Sequence, residues 1–144
     1  MFRTLEIFVI AALLVPACRR PDESERAQQA AARALTGVLV YPGSSVVSVS
    51  AGDEAAGLVL TVTATMAAVA AWYKHALETN GWVVKSERVE SGHVTIYAEQ
   101  RQPSRPLWIT IRPNAGGPGT TYTLLGALPT DSTVRADSVV GGRR

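Results

Sequence analysis

One thiol (Cys18), two imidazoles (His75 and His93) and the adjacent carboxylates Asp53-Glu54 are the groups in this chain best suited to chemistry. A metal site needs three or four convergent ligands, and neither histidine stands at a recognisable spacing from a carboxylate or a thiol. Both read more simply as a solvent-facing helix residue and a strand-start residue. Asp53-Glu54 falls in a turn between two alternating segments, where acidic residues are ordinary solvated turn formers. The glycine-rich stretch Ala115-Gly116-Gly117-Pro118-Gly119 has no following Lys-Ser/Thr and leads toward a strand rather than a helix, so it lacks both requirements of a phosphate cradle. No Gly-x-Ser-x-Gly occurs. The sequence therefore offers no catalytic residue, no metal ligand and no cofactor motif, and a non-enzymatic role is the expectation.

The most distinctive polar grouping lies on the strands. Leu107, Ile109 and Ile111 alternate with Trp108, Thr110 and Arg112, and Val94, Ile96 and Ala98 alternate with Thr95 and Tyr97. If the aliphatic set faces a core, then Tyr97, Trp108, Thr110 and Arg112 share the opposite face. An indole, a phenol, hydroxyls and a guanidinium suit a protein partner or a sugar ring. Ordinary strand composition gives the same residues, since Thr, Tyr and Trp favour half-exposed strands.

The positioning elements follow from periodicity. Thr65 to Trp82 reads as an amphipathic helix: Thr65 is a good N-cap, Met66, Val69, Ala70, Tyr73 and Leu77 form one stripe, and Asn80-Gly81 supplies the stop. Trp72 is expected at the stripe's edge, half covered. Strands are expected over residues 46–50, 57–63, 82–89, 93–99, 107–112 and around 120–125. The link between the fourth and fifth carries Pro103 and Pro106, which are expected to exclude regular pairing. The order is β-β-α-β-β-β-β, an α+β fold of two layers with one main helix on a mostly antiparallel sheet of five to six strands.

Outside this body the composition changes. Residues 1–17 carry Arg3 and an apolar run from Ile7 to Ala17, well short of the ~20 residues a permanent spanning helix needs. The stretch resembles a bacterial lipoprotein signal, with Val15-Pro16-Ala17-Cys18 in the place of the lipobox. That resemblance implies cleavage before Cys18, lipid attachment to its sulfur, and an exported protein anchored to a membrane of the bacterial cell envelope. Pro16 and Glu6 depart from the usual pattern, and a cleaved signal with a chance cysteine is the simpler alternative. A lone cysteine in an exported chain forms no internal disulfide, which accords with a lipid role. Residues 18–37 mix both charge signs with Gln and Ala, and read as a lipidated cysteine followed by a flexible tether. The folded domain is expected over residues 38–128, and 129–144 as a mobile polar tail.

The formal net charge of +2 does not point to nucleic acid. Within residues 38–128, Lys74, Lys85, Arg88, Arg101, Arg105 and Arg112 balance Asp53, Glu54, Glu78, Glu87, Glu90 and Glu99. A phosphate-binding face would need a clustered excess of cations.

Tyr41-Pro42-Gly43, followed by Trp72-Tyr73-x-x-x-Leu77 and Gly81-Trp82, resembles a recurrent domain of small bacterial lipoproteins and secreted proteins. The resemblance implies a fold and a location rather than a mechanism. Three functions fit these readings. The first is a lipid-anchored envelope domain that binds an envelope protein or cell-wall partner through the Tyr97/Trp108/Thr110/Arg112 face. The second is a small-ligand or hydrolytic site between helix and sheet, which calls for a pocket near Trp72, Tyr73 and Trp82. The third is a self-associating structural domain.

Overall fold

The computed structural model describes residues 22–129. Helix α1 (Glu23–Ala34) comes first, then β1 (Ser45–Ala51), β2 (Ala55–Val62), α2 (Met66–Thr79), β3 (Trp82–Glu90), β4 (His93–Arg101), β5 (Ser104–Pro113) and β6 (Thr120–Ala127). The strands form one antiparallel sheet in the order β1-β2-β6-β5-β4-β3. The last strand thus inserts between β2 and β5 and joins the first hairpin to the β3-β4-β5 meander. The α+β fold, with α2 on an antiparallel sheet, is the one the alternation and the helix stripe predict.

α2 begins and ends for the expected reasons. Thr65 Oγ1 accepts from the Ala68 N–H at 3.3 Å, Asn80 caps the last turn, and Gly81 takes a positive φ of 80°. Val69, Ala70, Tyr73 and Leu77 are buried against Leu60, Val94, Ile96, Ile109, Ile111 and Tyr122 on the sheet. Trp72 is half-buried, with its ring edge-on to Tyr41 at 5.2 Å and to Tyr73 at 4.9 Å.

Residues 23–34, read from sequence as part of a tether, are helix α1, and it lies on the same side of the sheet as α2. An isolated helix of this length is marginal in water, so its stability must come from packing. Asp22 caps it through the Glu23 N–H at 2.8 Å, and Ala30, Ala31 and Ala34 are buried with Ala56 of β2. Small side chains let backbones approach closely. A Cβ added at Gly126 of β6 would stand 2.4 Å from the Ala34 carbonyl oxygen, so this approach requires glycine there.

A second departure concerns Pro106, which pairs with Glu99 inside β5. The β5–β6 pairing stops at Leu107↔Gly126, so Pro106 lies where β5 has a neighbour on one side only. A strand accepts proline at such a position because no ladder needs the missing donor.

Within the core, Tyr122 donates its hydroxyl to Ser44 Oγ at 2.7 Å, and Thr120, fully buried, donates to the Ala64 carbonyl at 2.7 Å. Tyr73 Oη and Trp82 Nε1 are buried with no hydrogen-bond partner among the described residues. Burial first, and the neighbouring Tyr122 hydroxyl second, hold the Tyr73 phenol neutral far above its ordinary range. An unsatisfied buried hydroxyl costs about 1 kcal/mol or more. Tyr73→Phe is therefore expected to leave stability unchanged or raise it by up to ~1 kcal/mol. Urea unfolding checks this, and a loss of several kcal/mol would mean that the hydroxyl has a partner.

Candidate functional site

α1 covers the β1/β2 end of the sheet, α2 covers the β3–β5 part, and residues 35–41 run between them. Both helices bury apolar faces, yet α1 meets the sheet through alanines and leaves room beside it. The result is an apolar cavity of about 470 Å³. Val46 and Val49 of β1, Leu58 of β2 and Leu124 of β6 form its floor. Ala31, Ala32 and Leu35 of α1 form one wall, and Val38 and Val40 of the connecting segment form another. Gln28 is the sole polar residue in the lining. The mouth is open: Val40 is 43% exposed and Val46 57% exposed.

This lining holds no acid, base, nucleophile or cation, so it can desolvate an apolar molecule but supplies no group for covalent or proton-transfer chemistry. No cluster of three or more His, Cys, Asp or Glu side chains suited to a metal occurs among the described residues. The cavity volume lies within the usual range of small-molecule sites.

The site is not where the sequence pointed. Around Tyr73 and Trp82 the packing is solid: the gap they share with Gly37, Leu39, Ala76, Leu77 and Asn80 has essentially no volume, about 0 Å³. Trp72, the third residue of that expected site, is taken up by Tyr41 and Tyr73. The Trp72–Tyr73–Trp82 pocket is therefore corrected to packed core, because three large aromatics fill the space between α2 and the sheet.

Arg105, which the sequence marks only as one of the domain's balanced charges, ties the cavity wall down. Its guanidinium donates to the Thr36 carbonyl at 2.8 Å and to Gln100 Oε1 at 2.6 Å, and lies 5.8 Å from the centre of the Trp82 ring. The start of the connecting segment is thus fixed to the β4–β5 hairpin. No local pattern in the sequence marks this, since Arg105 and Thr36 stand far apart along the chain.

Tyr97, Trp108, Thr110 and Arg112 all lie on the sheet face away from the helices, in register as Tyr97↔Trp108, Thr110↔Thr123 and Arg112↔Thr121. Trp108 is 39% exposed, and its ring lies 5.3 Å from that of Tyr97 at an angle of 32°. A depression of about 430 Å³ is lined by Thr110, Arg112, Pro113, Ala115, Thr121 and Thr123. Tyr97 is already engaged: its hydroxyl donates to Glu99 Oε1 at 2.5 Å, and Lys85 Nζ lies 3.5 Å from the other carboxylate oxygen. The Tyr97 hydrogen bond first, and the Lys85 charge after it, hold the Glu99 carboxyl below its ordinary range. A depressed carboxyl favours the folded state above its unfolded pKa, and that contribution is lost as pH falls through the folded pKa. Tyr97→Phe is expected to move the Glu99 midpoint upward toward the ordinary glutamate range, as followed by NMR titration of the side-chain carboxyl. An unchanged midpoint would contradict the assignment. Cys18 lies outside the described residues.

Comparison with known proteins adds the class. The model of the START domain-like family matches residues 44–120, more than half of the chain, and the chain belongs to that family. The matched stretch runs from the residue before β1 to the first residue of β6, and so contains Val46, Val49 and Leu58 of the cavity floor. The class that this membership supports is a ligand-binding domain. No curated protein and no solved structure matches the chain.

Proposed function

We propose that this chain is a non-enzymatic binding domain of the bacterial cell envelope, anchored by lipid on Cys18, whose ligand is a small apolar molecule seated between α1 and the β1-β2-β6 part of the sheet. The observation that carries the ligand reading is the 470 Å³ cavity with a single polar lining residue, on a START domain-like chain. What supports the anchoring is the leader, with Arg3, the apolar run of residues 7–17 and the lone Cys18 behind Ala17.

The ligand reading is tested with N-phenyl-1-naphthylamine, an uncharged fluorophore that brightens in apolar surroundings. The chain is expected to bind it saturably. Ala32 is exposed and lines the cavity, so Ala32→Trp places an indole at the opening without disturbing the core. The variant is expected to lose at least about tenfold in affinity while unfolding at the same urea concentration. Equal binding by the variant would contradict the assignment.

A second reading keeps a protein or cell-wall partner on the sheet face, favoured by the half-exposed Trp108 next to the depression at Arg112. It calls for Trp108→Ala and Arg112→Ala to reduce partner recovery from cells with little change in thermal stability.

A further inference from the structure

Among the described residues the sheet has two open edges, β1 and β3, and they differ in composition. β3 carries Lys85, Glu87, Arg88 and Glu90, charges of the kind that discourage pairing with another strand. β1, Ser-Val-Val-Ser-Val-Ser-Ala, carries no charge and no proline, and only Val49 along it is even half-buried. A bulge between Val46 and Ser48 interrupts its pairing with β2, and from Ser48 to Ala51 the register is regular. The Gly52 N–H donates to the Ala55 carbonyl at 2.8 Å. In an antiparallel pair, bonded and non-bonded positions alternate, so Gly52 and Ser50 turn their backbone groups toward β2. Val49 and Ala51 then present an N–H and a C=O each to the open side.

Beside this open stretch runs a groove of about 810 Å³, separate from the apolar cavity. One side is Val49 to Gly52, and the other is the face of α1 bearing Arg26, Ala27, Ala30 and Arg33. Arg26 and Arg33 stand two turns apart on one helical stripe, ~10 Å along the axis. Neither has a carboxylate within ion-pair distance among the described residues. The groove's one acidic side chain is Glu23, a turn before Arg26. Strand hydrogen-bonding groups and two guanidinium groups with no partner among the described residues define the chemistry of the occupant.

We propose that β1 and this groove receive an extended, acidic segment of a partner protein, which pairs with β1 as a seventh strand. Main-chain bonds at Val49 and Ala51 supply affinity, and alternate side chains of the segment meet α1, where Arg26 and Arg33 select carboxylates over cations. The proposal rests on no residue of the apolar-ligand reading beyond Val49, and either can fail alone.

The test uses the full chain and two fluorescein-labelled synthetic heptapeptides, one alternating valine with aspartate and one alternating valine with lysine, read by fluorescence anisotropy. The aspartate peptide is expected to bind saturably and the lysine peptide at least about tenfold more weakly. Ala51→Pro removes an edge donor while keeping the β1–β2 bonds, a change that edge strands tolerate. It is expected to weaken the aspartate peptide at least about tenfold. The double variant Arg26→Glu, Arg33→Glu is expected to reverse the preference between the peptides. Equal binding of both peptides, no effect of Ala51→Pro in a variant that unfolds normally, or an unreversed preference would each overturn the proposal. Two further results would also overturn it by naming another occupant: binding that emerges only when the chain is cut after Pro129, or a concentration-dependent dimer in sedimentation that Ala51→Pro abolishes.

Discussion

Gly126→Val is expected to unseat α1 and destroy ligand binding while the α2 side of the domain stays folded. The reason is one contact: a Cβ at this position would meet the Ala34 carbonyl oxygen at 2.4 Å and its carbon at 3.0 Å. Backbone atoms of a docked helix have no rotamer to move into, so the helix itself must lift. α1 has no other means of remaining helical, because its buried contacts are Ala30, Ala31, Ala34 and the following Leu35. Overpacking of this kind costs about 1–3 kcal/mol. The loss should be local, since α1 packs mainly on β1, β2 and β6 whereas α2 packs on β3, β4 and β5. Hydrogen exchange should therefore show α1 amides losing protection while those of β4 and β5 keep theirs, together with loss of the fluorophore signal. Global unfolding, or retained fluorophore binding, would show that α1 is not the wall of the site.

Cys18→Ser is expected to abolish membrane retention in a bacterial host. The serine hydroxyl is a poor substitute for a thiol as the acceptor of a lipid through its sulfur. No helix among the described residues is long and apolar enough to cross a membrane. Radiolabelled palmitate should enter the parent chain and not the variant, and the variant should move from the membrane to the soluble fraction. Palmitate incorporation into the variant, or equal membrane retention of both, would overturn the anchoring proposal.

The sheet and α2 were legible because each rests on local periodicity. Alternation over Leu107–Arg112 and His93–Glu99 gave both the strands and the face each residue takes, and Thr65 with Asn80-Gly81 marked both ends of α2. α1 was not legible as a packed element. Its buried residues are alanines, which carry little apolar signal, and its docking depends on Gly126 nearly a whole domain away in sequence. The cavity went unseen for the same reason: with α1 read as tether, the only helix–sheet interface available was the one at Tyr73 and Trp82, which is filled. The strand order depends on β6 returning between β2 and β5, and no local feature of Thr120–Ala127 specifies that. The Tyr97–Trp108–Thr110–Arg112 face was legible as a shared surface, because a strand's period of two determines it. The Tyr97–Glu99 bond also follows that period, since residues two apart share a face.

The apolar ligand is expected between α1 and the β1-β2-β6 floor. The most direct measurement is methyl NMR of the isotopically labelled chain titrated with N-phenyl-1-naphthylamine. Shifts are expected at Val46, Val49, Leu58 and Leu124, which form the cavity floor, with Ile96 and Ile111 under α2 unmoved. Shifts centred instead on the open sheet face, at Leu125 beside Trp108 and Val59 beside Thr123, would move the binding site to the other side of the sheet.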